Sequence, residues 1–221
     1  MPTLPKFPRR LLFSLFVVAA ALAPSSGRAG GTAVSVVDDK GNPLAGAVVT
    51  FRPAGHSPRV TPGVFEIRQE GRRFIPELTI VPVGSRVRFP NRDEVAHHVY
   101  SFSPAKKFDI PLYQGEAPQD IVFDRAGVVA LGCNIHDWMV AHVYVTDTPF
   151  FAVTGTDGRA AWPNAHGGKG TLKVWHPRQK GETISLEVAG IRDIAPVVLK
   201  LRPDFRRRLA PASGGDGGPY R

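Results

Sequence analysis

Short hydrophobic runs, each bounded by turn residues, recur along most of this chain of 221 residues. Within residues 85–89, arginines alternate with Val87 and Phe89, which is typical of a strand with one exposed face and one buried face. Similar runs rich in Val, Ile, Phe and Thr occupy residues 33–37, 44–51, 78–83, 121–123, 128–131 and 140–145. No amphipathic pattern of three helical turns interrupts them after residue 30. The pattern therefore predicts an all-β fold.

The last of these runs indicates which side chains share a core. From Met139 to Val145 every second residue is hydrophobic, so these side chains fall on one face of the predicted strand. His142 and Tyr144 then face the other way. Residues 103–118, in contrast, are polar and broken by prolines. They predict a long connection that either packs over the functional site or crosses the surface.

The first 29 residues have the pattern of a secretory signal peptide. Basic residues between Lys6 and Arg10 precede an apolar stretch at 11–23. Small residues at Gly27 and Ala29 then predict cleavage after Ala29. The apolar stretch is shorter than the roughly 20 residues of a membrane span. We therefore expect a periplasmic protein that keeps no stable membrane span after cleavage.

Much of the positive charge lies near the two ends of the chain. The sequence has 28 Lys and Arg against 19 Asp and Glu, a net charge of +9. Residues 1–29 contain four basic residues and no acidic one, so their removal lowers the net charge to +5. Without a Lys/Arg-rich helix or a basic–aromatic pattern, nucleic acid is not an expected partner. The Gly-rich, basic residues 204–221 predict a disordered tail.

The only cysteine of the chain lies in a compact group of metal-ligand residues. Cys133, His136 and Met139 are spaced Cys-x-x-His-x-x-Met between two predicted strands. Thiolate, imidazole and thioether are the ligands of mononuclear copper sites. A second imidazole is available at His97 or His98, beside another predicted strand. Because neighbouring residues of a strand face opposite ways, only one of these two histidines can point inward.

Two stretches around these residues resemble the cupredoxins, the plastocyanin and azurin class of type 1 copper proteins, and in particular the amicyanin type. They are residues 84–102 (GSRVRFPNRDEVAHHVYSF) and 127–145 (GVVALGCNIHDWMVAHVYV). The resemblance implies a Greek-key β-sandwich over residues 63–147 that binds one type 1 copper ion. It also implies the ligands, which are the equatorial His97, Cys133 and His136 and the axial Met139.

Four further residues acquire expected roles from this resemblance. The family usually has asparagine after the first histidine ligand, where it ties the two ligand loops together, but this chain has His98. Asn134 could form that link instead. Asp137 is expected to act on the exposed edge of His136, where electrons would leave. Trp138 is either a hydrophobic plug or part of a docking patch for redox partners.

Residues 30–62 and 148–203 flank this predicted domain and carry a second resemblance. Residues 37–51 (VDDKGNPLAGAVVTF) read as a strand, a turn and a strand, and are similar to the opening hairpin of carboxypeptidase-regulatory-like β-sandwiches. Residues 156–163 (TDGRAAWP) resemble a later segment of that family. We expect the two flanks to form one small β-sandwich, split in sequence by an insertion at a loop tip.

The copper resemblance implies a single-electron carrier and not an enzyme. Its expected partners are redox proteins, a dehydrogenase and a c-type cytochrome, in the setting of amine oxidation (methylamine utilization). Two other functions stay open. The protein could be a copper-binding or delivery module, or an envelope-attachment protein with the cupredoxin as a passenger.

Other chemistries are open for the same residues. Zinc bound by Cys133, His136, His97 and His98 would require adjacent histidines to converge on one ion, which is rare. A Cys–His nucleophile would need an orienting acid, and none is evident from the spacing. The remaining histidines are expected to be exposed or to lie in turns, and they are His56, His142, His166 and His176.

Overall fold

The structure is a computed structural model, and it describes residues 32–162, 168–191 and 194–204. Within these ranges the chain forms seventeen strands and no helix, which confirms the predicted all-β class. The predicted signal peptide and almost all of the predicted tail lie outside the described residues. The described part of the chain offers no helix with the length and apolar character of a membrane span.

The strands follow one another along the chain with short connections. They are β1 (Thr32–Asp38), β2 (Val48–Pro53), β3 (Val64–Glu66), β4 (Arg68–Gln69), β5 (Phe74–Ile75), β6 (Leu78–Pro82), β7 (Ser85–Arg88), β8 (His97–Ser103), β9 (Lys106–Tyr113), β10 (Ile121–Phe123), β11 (Gly127–Gly132), β12 (Val140–Thr146), β13 (Phe151–Val153), β14 (Arg159–Trp162), β15 (Gly170–Trp175), β16 (Ile184–Val188) and β17 (Val197–Leu199).

Two sheets built from the middle of the chain form the first sandwich. A five-stranded sheet has the order β6-β12-β11-β8-β9, and a three-stranded sheet has the order β10-β7-β3. Val87 and Phe123 of the smaller sheet share one buried core with Val99, Leu131 and Val143 of the larger sheet. The alternation in β7 is as predicted, since its arginines are exposed and its serine and valine are buried.

Turns in this sandwich carry the chain from one sheet to the other. β6 belongs to the five-stranded sheet, whereas β7, which follows after a two-residue turn, belongs to the three-stranded sheet. Gly84 in that turn has a φ of 87°, a conformation that glycine adopts without a steric penalty. β10 and β11 are divided between the sheets in the same way. The strands of these two consecutive pairs therefore lie on opposite sides of the core instead of pairing with each other.

The expectation of an irregular connection over residues 103–118 is wrong for its central part. Residues Lys106–Tyr113 form β9, which pairs antiparallel with β8 along the edge of the five-stranded sheet. An edge strand tolerates Pro111, because a residue facing away from the ladder needs no N–H donor. Ile110, opposite Val99, is buried in the core.

The flanking segments form a second sandwich. β14, β1 and β17 make a three-stranded sheet, and β13, β2, β15 and β16 make a four-stranded sheet. Val34, Phe51, Leu172 and Leu199 are among the residues of their common core. The segment 37–51 contains the predicted turn, but its two strands lie in different sheets and do not form a hairpin. All described residues belong to one compact unit, so the predicted domain boundaries stay a prediction.

A third, smaller cluster joins the two sandwiches. Val48 and Trp175 of the second sandwich pack against Tyr144 on the outer face of the five-stranded sheet. The His142 ring lies 5.2 Å from the Trp175 ring, centroid to centroid, so His142 is partly covered. For His142 the expectation of exposure or a turn is wrong, because the second sandwich covers this face of the sheet. His176 is buried but opens a turn, as expected, since its carbonyl accepts a hydrogen bond from the Gln179 N–H.

Candidate metal centre

The positions of two strands bring the predicted ligands together. His97 opens β8, and Cys133 directly follows β11. These strands are antiparallel neighbours in the five-stranded sheet, so the start of one and the end of the other lie side by side. The loop after Cys133 carries His136 and Met139 and ends where β12 begins at Val140.

Three of these side chains form a compact cluster. The ligand atoms of His97, Cys133 and His136 all lie within 4.8 Å of one another. The Cys133 Sγ is 3.8 Å from the His136 Nδ1. Metal–ligand bonds of about 2.0–2.3 Å allow two ligand atoms to be up to about 4.4 Å apart, so this pair fits one ion. Met139 is 1% exposed and belongs to the same core cluster as Cys133.

The two nitrogens of the His97 ring differ in their hydrogen bonding. Its Nε2 lies 2.7 Å from the Asp93 Oδ2. An Nε2–H that donates to this carboxylate leaves the lone pair on Nδ1. Nδ1 is buried and has no hydrogen-bond partner of ordinary geometry within the described residues. A buried acceptor without a partner is uncommon, and a metal ion would satisfy it.

Asp93 is itself fixed by the backbone of another loop. The N–H groups of Gly71 and Arg72 donate to its two carboxylate oxygens at 2.6 Å and 2.8 Å. Burial alone would raise the pKa of Asp93, but hydrogen bonds from Arg72, His97 and Gly71 hold that pKa below its usual value. Asp93 is not among the site residues predicted from the sequence. Its position four residues before His97 is the signal that could have found it.

In the metal-free protein, His97 and Cys133 each favour the charged form of the other. Burial would lower the pKa of His97, but Cys133 and Asp93 raise it above the usual value. Burial would raise the pKa of the Cys133 thiol, but His97 and the backbone N–H groups of His98 and Ile135 lower it. Cys133 therefore tends toward the thiolate, which is the form that binds metal.

The pKa of His136 is shifted in the opposite direction from that of His97. Burial, the charge of His97 and the charge of Arg72 together lower its pKa. The neutral imidazole that results is the form able to bind a metal ion. The His97 and His136 rings meet edge to face, with centroids 4.9 Å apart. His97 is fully buried and His136 is half-buried, so the cluster reaches the surface through His136.

The side chain of His98 points away from the cluster. Its Nε2 lies 2.6 Å from the Asp109 Oδ1 on β9, and its ring stacks on Tyr100. The geometry therefore places His97, and not His98, beside Cys133. His98 acts on the cysteine through its backbone and not its ring, because its N–H contributes to the lowered pKa of the Cys133 thiol.

The other predicted site residues differ in their surroundings. Asn134 and Asp137 are exposed. Asn91, which is not one of the predicted site residues, helps to fix the loop before His97. Its Nδ2 donates a hydrogen bond to the carbonyl of Val95 at 2.8 Å. Trp138 is half-buried against the first core, and its ring lies 5.3 Å from the His136 ring.

A thiol nucleophile is less compatible with this geometry than a metal site. Asp93 provides the orienting acid that the spacing does not reveal, so a Cys133–His97–Asp93 series is present. However, Cys133 is 4% exposed and His97 is 0% exposed, which leaves the sulfur closed to a substrate. A zinc site with both adjacent histidines is not formed either, because His98 is bound to Asp109.

Comparisons with known proteins add structural likenesses only. No model of a known protein family matches the chain, and no curated protein does. A purple cupredoxin from Nitrosopumilus maritimus is 26% identical, with a TM-score of 0.33, over 37% of this chain and 98% of its own. A mutant amicyanin in the Cu(I) form is 19% identical, with a TM-score of 0.35, over 44% of this chain and 98% of its own.

A copper-containing nitrite reductase from Thermus scotoductus SA-01 is 23% identical, with a TM-score of 0.36. The match covers 43% of this chain but only 25% of the reductase chain. Likenesses at this level do not establish a family or an activity. The functional assignment rests on the side chains of the site.

Proposed function

We propose that this protein binds one copper ion through His97, Cys133, His136 and Met139 and carries single electrons between redox proteins. The observation that carries the proposal is the cluster of one thiol and two imidazoles, whose ligand atoms lie within 4.8 Å of one another. A trigonal set of two histidines and one cysteine with a weak methionine is the ligand set of blue-copper electron-transfer sites.

Bound copper would supply a one-electron couple that protein side chains lack. The chain's own residues keep the site rigid, because three candidate ligands lie in one short loop between paired strands and His97 is anchored by Asp93. Cys133 provides a thiolate that favours the reduced ion. His136 connects the buried cluster with the surface and is the expected exit for electrons.

The compartment and the partners are part of the proposal. The signal-peptide pattern at residues 1–29 and the lone cysteine are both consistent with export to the periplasm. The resemblance to the amicyanin type favours a dehydrogenase as electron donor and a c-type cytochrome as acceptor, in amine oxidation. A carrier of this kind needs no substrate pocket, so no catalytic role is proposed.

The test is the visible spectrum of the copper-loaded protein. We expect an intense thiolate-to-copper absorption that disappears on reduction and returns on reoxidation without loss of metal. Cys133→Ser should abolish the band, whereas the matched variant Asn134→Ser, at an exposed neighbour, should keep it. Wild-type protein without the band, or a band that survives in Cys133→Ser, would contradict the proposal.

Two histidine variants identify the upstream ligand. His97→Ala removes the imidazole beside Cys133 and should eliminate the absorption band. His98→Ala removes the contacts with Asp109 and Tyr100, which lie outside the cluster, and should retain the band. The opposite pattern would assign the ligand role to His98.

A copper-delivery module is the second candidate, because the half-buried His136 gives the site one edge open to exchange. Repeated redox cycles in the presence of a copper chelator separate the two functions. A carrier retains its copper through the cycles, whereas a delivery module loses it in one oxidation state.

A further inference from the structure

The carboxylate of Asp93 lies on the buried side of the candidate site. Its Oδ2 is 2.7 Å from the Nε2 of the fully buried His97, and the Asp93 side chain is itself only 15% exposed. Among the described residues, Asp93 provides the one carboxylate within hydrogen-bond distance of the imidazoles and the thiol of the cluster. The sulfur of Cys133 is buried as well. A bound ion would therefore share a water-poor region with one thiolate and one carboxylate.

The position of this carboxylate is fixed from two sides. Gly71 and Arg72 follow each other in the turn between β4 and β5, with φ values of 60° and 56°. The left-handed backbone is unfavourable for Arg72, yet in this conformation both N–H groups donate to the carboxylate of Asp93. The Asp93 N–H in turn donates to the Oδ1 of Asn91 at 2.9 Å. Hydrogen bonds of its side chain and of its backbone therefore hold Asp93 against His97.

The same turn also contacts the loop that carries the second imidazole. The carbonyl of Arg72 accepts a hydrogen bond from the Trp138 Nε1 at 3.1 Å, and the Trp138 ring lies 5.3 Å from the His136 ring. Backbone atoms of one turn are thus bound to both loops that carry imidazoles. We expect the carboxylate and the imidazoles to keep their positions when the charge of a bound ion changes.

The charges of the buried groups favour one oxidation state of copper. The Cys133 thiolate and the Asp93 carboxylate carry two negative charges, which Cu(II) offsets in full and Cu(I) only in part. Because a buried charge without a partner is costly, the carboxylate stabilises Cu(II) relative to Cu(I). The imidazoles bind the ion in their neutral form and leave this balance unchanged. Arg72 is half-buried and Asp137 is exposed, so solvent screens their side-chain charges more strongly.

We propose that Asp93 lowers the reduction potential of the bound copper by holding a fixed negative charge against the buried imidazole of His97. This inference rests on the proposed copper-binding function. Asp93 acts through His97, so it is a positioning residue. When the reduced site passes one electron to its partner, Cu(I) becomes Cu(II), the partner is reduced by one electron, and no proton or atom is exchanged. The carboxylate favours this direction and makes the protein a stronger reductant.

The test is the reduction potential of the copper-loaded full chain, measured by redox titration of the visible band. Asp93→Asn removes the charge with the smallest change of shape. We expect the ratio of Cu(II) to Cu(I) affinity to fall by about tenfold or more, and a tenfold fall raises the potential of a one-electron couple by about 59 mV. The rise should persist at high ionic strength, because salt screens a buried charge only weakly.

Two further variants separate a buried charge from its alternatives. Asp137→Asn removes the same charge from an exposed site in the loop of His136, and any shift should vanish at high ionic strength. Asp93→Ala removes the hydrogen bond to His97 together with the charge, and should raise the potential about as much as Asp93→Asn. A rise confined to Asp93→Ala, or a potential that is unchanged or lower in Asp93→Asn, would overturn the inference.

A second readout needs neither metal nor a variant. In the metal-free wild type, at a pH where His97 is neutral, NMR of the imidazole nitrogens should find its proton on Nε2, in slow exchange with water. A proton on Nδ1 would overturn the inference even if the Asp93 variants do not fold. An intact copper band with an unshifted potential in Asp93→Asn refutes the role of Asp93 alone, whereas a wild type without the band refutes the proposed function.

Discussion

At the scale of single residues, the hydrogen bond between His97 and Asp93 affects how strongly protons compete with copper for His97. A metal ion can bind His97 only after its imidazole has lost the proton. Because Asp93 and Cys133 raise the pKa of His97, copper affinity should decrease as the pH falls through that raised pKa. His136, whose pKa is lowered, should lose its proton first as the pH rises.

Asp93→Asn tests this relation. Loss of the carboxylate removes one cause of the raised pKa of His97, so the midpoint of copper binding should move to lower pH. Loss of the fixed ring orientation should also reduce copper affinity by about 10- to 100-fold at a pH where both imidazoles are neutral. Competition titrations with a copper chelator across the pH range measure both effects.

The control for this variant is Asp137→Asn, an exposed acid in the loop that carries His136. It should leave the midpoint within the error of the wild-type value. A midpoint that is unchanged or higher in Asp93→Asn would show that the carboxylate does not raise the pKa of His97.

At the scale of secondary-structure elements, β9 is the feature that alternation alone does not predict. Two lysines, Asp109 and Pro111 give this segment a polar, proline-broken character, although Ile110 fills the core opposite Val99. An edge strand has one open side, so its sequence needs fewer hydrophobic residues than a central strand. Alternation reports which face of a strand is buried, but it does not report which strand is its neighbour.

Ile110→Ala measures the contribution of β9. Truncating a side chain that is 1% exposed should lower the free energy of unfolding by about 2–5 kcal/mol. Leu112→Ala, in the same strand but 53% exposed, should change it by less than about 0.5 kcal/mol. Urea denaturation of the metal-free protein gives both values, and equal small effects would mean that β9 does not pack as described.

In the candidate site, too, some features can be predicted from the spacing of residues, whereas others depend on contacts that only the fold creates. The spacing of Cys133, His136 and Met139 predicts their proximity, since all three lie in one short loop. Asp93 could have been suspected from its position four residues before His97, but the contacts that fix it could not, because the N–H groups of Gly71 and Arg72 lie about 20 residues away in sequence. Gly71, with a φ of 60°, is typical of a turn, but it does not indicate that the turn contacts Asp93.

At the scale of the whole molecule, the second sandwich packs on the outer face of the five-stranded sheet, whereas the candidate ligands lie just past the ends of its strands. His142, which contacts Trp175, is paired with Ala130, and Cys133 lies three residues beyond Ala130. A strand rises about 3.3 Å per residue, so the junction and the site are separated by about 10 Å along β11. The junction should therefore affect stability without affecting the ligand geometry.

Trp175→Ala tests this separation. Removing a buried indole from the junction should lower the free energy of unfolding by about 3–5 kcal/mol. The visible absorption of the copper-loaded variant should keep the wild-type band position. Denaturation followed by the copper band and by fluorescence provides the measurement, and a shifted band in the folded variant would show that the two regions are coupled.

The most direct test of the central claim is copper K-edge X-ray absorption on the loaded full chain. The account predicts one short copper–sulfur bond together with two imidazole nitrogens in the wild type. In Cys133→Ser the short sulfur contribution should be lost, whereas the His98→Ala spectrum should be unchanged. A first shell without sulfur, or one that loses an imidazole in His98→Ala and not in His97→Ala, would contradict the assignment of His97, Cys133 and His136 as one copper site.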